Sequence, residues 1–187
     1  MGPTSQALIH DVRATPRVSR FRISVMKNFN GDELGGPFDL IFNLPVHPLV
    51  VHGAVVLVPL VAFAALAMSY WPSFSRRYGG SVLILAGIAQ ASLFIAKASG
   101  EPFEERLNKD IERHANFGEI APLTFIPLLV LLFIRWRMDK SGATVGSAQV
   151  RRLVSILLAL AAILALVYIY LTGHSGAESV WGWIAKN

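Results

Sequence analysis

The stretch from 46 to 71 is almost unbroken Val, Leu, Ala and Phe, and the pattern returns at 79–98, 116–136 and 153–172. Crossing a bilayer takes about 20 helical residues at a rise of about 1.5 Å each, so these stretches predict four membrane-spanning helices. Pro48 suits the first turn of the first helix, where a missing N–H costs nothing, and Pro59 predicts a kink inside it. The second span carries Gly87, Ala89, Ala91 and Ser92, small residues that let neighbouring helices approach closely, and one strongly polar interior residue, Gln90. Pro122 and Pro127 fall near the start of the third. The fourth, SILLALAAILALVYIYL at its heart, is the cleanest.

The intervening sequence divides by character. Residues 1–40 mix Gly, Ser, Pro, Arg and Asp without apolar periodicity or a signal-peptide h-region, which predicts a disordered or loosely docked tail. Residues 41–187 form the transmembrane domain. Between the second and third spans, EPFEERLNKDIERHANFGE repeats Phe103, Leu107 and Ile111 every four residues and offers Glu105 with Lys109 and Arg106 with Asp110 as i,i+4 pairs. This pattern predicts a short amphipathic helix lying at the membrane interface. Trp181 and Trp183 fall where an aromatic belt sits. The fold class expected is an all-α integral membrane protein, a four-helix up-down bundle with that interfacial helix between helices 2 and 3.

Composition agrees: 53% of residues are hydrophobic, 16% are charged and the mean hydropathy is +0.51, far from a soluble domain with about 25% charged residues. With no cysteine, disulfides, thiolate ligands and thioether-linked haem are excluded. The net charge of +5 does not indicate nucleic acid, because the basic residues flank apolar segments and no phosphate loop or aromatic-interleaved patch accompanies them. Arg76, Arg77, Arg135, Arg137, Arg151 and Arg152 bracket two loops on one side. The positive-inside rule then places both termini on the outer face of a bacterial cytoplasmic membrane, with the N-terminal arginines discounted.

Alternation of the spans sends four histidines to one end. His47 and His52 open the first helix, His114 precedes the third and His174 follows the fourth. His52 lies a turn inside an apolar segment, where an unpartnered polar group is costly, so it is expected to face a partner rather than lipid. His114 continues the stripe of Leu107 and Ile111 and is expected to point into the bundle. A polar helix-start role for His47 and a turn role for His174 are the plain alternatives.

Neutral imidazole binds haem iron axially and also binds Cu and Zn. A bis-histidine haem takes one imidazole from each side of the porphyrin. His47 and His52, five residues and about 140° apart on a helix, do not serve one iron together. His52 with His114 is the expected axial pair for haem b, with His47 and His174 tuning the iron, meeting propionates or forming a second site. Unwinding at Pro48 would instead let three or four imidazoles converge on one Cu or Zn ion. Glu119, one turn after His114, and Glu105, with its neighbour Glu104, are candidates to support such ligands.

HPLVVHGAVVLVPL, SGEPFEERL, ERHANFGE and TGHSGAESVWG, in that order, resemble the signatures of the bacterial membrane-protein family called domain of unknown function 2231 (DUF2231), over roughly residues 40–183. The resemblance implies a four-helix membrane domain, a histidine pair corresponding to His47 and His52, and a further histidine corresponding to His114. It also implies a likeness in outline to small b-type cytochromes, some members being joined to Rieske-type domains. Gly53 and Ala54 depart from the Phe-Pro that often follows the second histidine.

Three readings follow: a haem-binding electron-transfer protein or redox subunit of a respiratory complex, with quinone as a candidate donor; a non-haem Cu or Zn protein using the same histidines; and a cofactor-free accessory subunit of a larger membrane complex or homo-oligomer. No nucleophilic triad, HExxH pattern or pair of intramembrane carboxylates points to a standalone hydrolase or pump.

Overall fold

The computed structural model describes residues 40–42, 44–107, 111–141 and 146–184, with the backbone alone for 40 and 101–107. Four long helices dominate: α1 (Val46–Tyr70), α2 (Pro72–Leu107), α3 (Glu112–Lys140) and α4 (Ala148–Trp181). All four are long and apolar enough to cross a membrane. They are preceded by two-residue strands, β1 (Leu40–Ile41) and β2 (Leu44–Pro45), paired antiparallel around a turn in which Phe42 adopts a positive φ of 51°.

The break between α1 and α2 is a single residue. Trp71 takes an extended conformation (φ −117°, ψ 95°), as steric conflict with a following proline requires, and Pro72 then opens α2. At the other turn, Ser147 caps α4 by accepting a hydrogen bond from the Val150 N–H.

α2, α3 and α4 each outrun their apolar stretch, whereas α1 matches its own to within a residue. The amphipathic segment is helical as its periodicity predicts, yet as far as Leu107 it continues α2 instead of forming a separate element, and α3 starts at Glu112. The loss of hydropathy near Gly100 marks where the helix leaves the apolar layer, which is a property of the side chains and does not end the backbone ladder.

In the bundle, α1 packs on α2 and α4, α3 packs on α4 and α2, and α1 meets α3 across the centre. Ala62, Ala65, Ala86, Ala89 and Ala162 are fully buried at these crossings, where the absence of side-chain bulk lets the backbones approach. Phe125, Leu128, Leu132, Leu158 and Met68 fill the remaining core. Gln90 is buried too; its Nε2 donates to the Pro122 carbonyl of α3 at 3.1 Å. Val56, Phe63, Ile84, Leu123, Phe133 and Leu160 point outward, the arrangement of a bundle whose solvent is lipid.

At the end of the bundle formed by the α1–α2 and α3–α4 turns, charge goes inside. Asp139 has a side chain 0% exposed and takes hydrogen bonds from Arg135 Nε at 2.6 Å and Arg151 Nη2 at 2.7 Å. Arg135 also donates to Ser155, and Arg151 Nη1 to the Met138 carbonyl. The cluster clamps α3 to α4.

Candidate functional site

At the opposite end the four helices leave a cavity of about 310 Å³. Apolar walls come from Val51 and Val55 of α1, Leu93 of α2 and Ile169 of α4, while Gly118 and Gly173 widen it by presenting no side chain. Its polar groups are His47, His114, Lys97, Glu119 and Thr172.

The two imidazoles face one another, with ring centroids 6.2 Å apart and planes at 86°. Each is fixed by a neighbouring helix. His47 Nδ1 lies 2.9 Å from the Ala96 carbonyl of α2, and His114 Nδ1 lies 3.0 Å from the Thr172 carbonyl of α4. A carbonyl only accepts, so Nδ1 carries the proton in both rings and Nε2 is the basic nitrogen. Nδ1–H bonded to a backbone carbonyl is the arrangement that fixes the tautomer and orientation of a ligating histidine.

Reaching a helical carbonyl from the side requires that nothing cover it. A Cβ at Gly100 would lie 3.5 Å from His47 Cε1, and one at Gly176 only 3.0 Å from His114 Cε1 and Nδ1. Ser99 and Ser175, one residue before each glycine, turn their hydroxyls back onto their own helices, Ser99 onto the carbonyls of Ile95 at 2.8 Å and Ala96 at 3.2 Å, Ser175 onto that of Thr172 at 3.0 Å.

The histidines expected from the sequence therefore divide into two pairs. His47 and His114 meet in the cavity. His52, expected to face a partner opposite His114, instead lies on the exposed side of α1 and donates from Nδ1 to the Pro48 carbonyl of its own helix. The reason is phase: the buried stripe Ala54, Val58, Val61, Ala65, extended back by seven residues, reaches position 47, and 52 lies off it. α1 also stays helical through Pro48, which keeps His47 and His52 on different sides. His174 is exposed beside Tyr170, with ring centroids 5.8 Å apart, and does not line the cavity.

Glu119 does reach the cavity wall, at its exposed rim, as does Lys97. The side chains of Glu104 and Glu105 lie outside the described residues. Among the described residues no group of three or more His, Cys, Asp or Glu side chains gathers as a metal cage. Sequence reasoning missed Lys97, Gly100, Gly176 and the two carbonyls. A Ser-Gly pair ending each of the second and fourth apolar stretches was the available signal for the glycines; nothing in a sequence marks a carbonyl as an acceptor.

Neither a curated protein nor a solved structure matches the chain. A family model does, over residues 43–185, a stretch that takes in all four helices and every group lining the cavity. On that match, the chain belongs to the family described as "Predicted membrane protein (DUF2231)".

Proposed function

We propose that this membrane protein is a small b-type cytochrome, holding haem iron between His47 and His114 and passing single electrons at one face of the bilayer. One observation carries the reading: two imidazoles from opposite helices, each tied through Nδ1 to a backbone carbonyl, face each other across a largely apolar cavity. His47 and His114, with ring centroids 6.2 Å apart, would be the residues that hold the haem iron. Haem brings four nitrogens of its own and asks the protein for two, matching a site with no third ligand among the described residues. Lys97 at the rim is placed to meet a carboxylate of the ligand. When bound, haem would supply reversible one-electron chemistry; the chain would supply two imidazole donors and a largely apolar wall. Electrons would come from quinone in the same bilayer or pass within a respiratory or redox complex. The positive-inside rule puts this face outside.

The orientation of the two imidazoles supports a second reading. The same two imidazoles, each oriented by a carbonyl, could equally hold a single copper ion.

The absorption spectrum of detergent-purified protein, oxidised and then dithionite-reduced, separates these. A Soret band with a sharp reduced α-band, lost in His47→Ala and in His114→Ala and kept in His52→Ala, is expected. A colourless protein carrying near-stoichiometric copper would establish the second reading. Neither haem nor metal, with a stable partner recovered, would leave an accessory subunit.

A further inference from the structure

The two cavity histidines sit in the same local construction twice. His47 reaches from α1 to the carbonyl of Ala96, with Ser99 three residues and Gly100 four residues beyond that carbonyl; His114 reaches from α3 to the carbonyl of Thr172, with Ser175 three and Gly176 four residues beyond. The hydrogen-bond lengths agree, 2.9 and 3.0 Å.

The correspondence continues along the helices. Ala54, Val58, Val61, Ala65 and Met68 follow His47 by 7, 11, 14, 18 and 21 residues, and Ala121, Phe125, Leu128, Leu132 and Arg135 follow His114 by the same intervals; all ten are buried. Val82, Ala86, Ala89 and Leu93 precede Ser99 by 17, 13, 10 and 6, as Leu158, Ala162, Ala165 and Ile169 precede Ser175. Intervals of three and four are the ordinary helical core period, so they alone would show nothing. What they add is phase: both stripes are in register with a histidine on one helix and a Ser-Gly pair on the next. Packing obeys the same relation, since each hairpin's first helix touches the other's second and the two first helices meet at the centre.

We infer that the chain is two equivalent helical hairpins, α1–α2 and α3–α4, related by a pseudo-two-fold axis along the bundle, and that the ligand lies on this axis with His47 and His114 as equivalent donors. Hairpins running in the same direction through a membrane are related by an axis along its normal. The class of ligand follows: one centre per chain that takes two equivalent nitrogen donors from the protein, a metalloporphyrin. This inference rests on the haem reading above for its probe. The equivalence is local to the donors, because Lys97 corresponds to Gly173, His52 to Glu119 and Met68 to Arg135.

The test is titration of haem-free, detergent-solubilised full-length protein with ferric protoporphyrin IX, read in the Soret region. Wild-type protein is expected to bind one equivalent as a six-coordinate low-spin species. His47→Gly and His114→Gly should each give the same five-coordinate high-spin spectrum, with affinities weakened by the same factor, about 100-fold. Added imidazole should return both variants to the six-coordinate spectrum, which separates a lost donor from a lost fold. Affinities of the two variants more than about tenfold apart, or a variant that stays low-spin without imidazole, would overturn the axial site while leaving haem binding intact. A wild-type protein that binds no haem would overturn both inferences.

Discussion

Absence of a side chain decides as much here as its presence. Gly79 lies against the indole of Trp136, and a Cβ there would come within 2.3 Å of Cδ1. That ring is itself covered by Lys140 Nζ, 4.8 Å from its centroid, and has little room to withdraw. Gly79→Ala should therefore cost about 1–3 kcal/mol, the usual penalty of overpacking, seen as a lower melting temperature in detergent. Gly87 has nothing within 4 Å of a built Cβ, so Gly87→Ala should leave stability unchanged or raise it through helix propensity, by up to about 1 kcal/mol. The cavity glycines should differ in the same graded way. Gly176→Ala forces His114 to move, whereas at Gly100 the added methyl group makes an ordinary contact with His47. We expect Gly176→Ala to weaken ligand binding by about 10-fold and Gly100→Ala to weaken it less, measured by the same Soret titration.

Among the elements, the α3–α4 hairpin depends on a buried charge cluster. Asp139→Asn would leave Arg135, whose side chain is 6% exposed, without its counter-ion, at a cost of about 3–5 kcal/mol. Arg135→Met combined with Asp139→Asn should recover part of this, because it removes the more deeply buried of the two stranded charges, Arg151 being 25% exposed. Thermal melts of the single and double variants check both statements. The arginines are conspicuous in the sequence as flanking charges; their burial is not, since i,i+4 spacing of Arg135 and Asp139 fits a solvated helix end equally well. Legibility was uneven elsewhere for similar reasons. The spans were readable because hydropathy over 20 residues is a property of sequence. The helix ends were displaced, by up to nine residues at Trp181, because the backbone ladder persists through polar residues that hydropathy treats as boundaries. His114 was placed facing inward by the stripe it continues. His52 was expected to face into the bundle and is exposed, while His47 lines the cavity, because polarity and depth were weighed where the phase of the buried stripe was decisive.

For the molecule as a whole, the chain's lack of cysteine makes its orientation open to a clean experiment. Ala177 and Ser73 are exposed at opposite ends of the bundle. With the histidine end outside, Ala177→Cys should react with a membrane-impermeant maleimide on intact cells and Ser73→Cys only after permeabilisation; the reverse pattern would place the cavity on the inner face. The two ends also differ mechanically. One is bolted by Asp139 between two arginines and closed by a one-residue turn at Trp71, while the other meets around the cavity through two imidazole hydrogen bonds and an exposed Arg113–Glu178 pair. Charge therefore rivets the end without a cavity and imidazole frames the end that has one, so damage at Asp139 falls far from the candidate site.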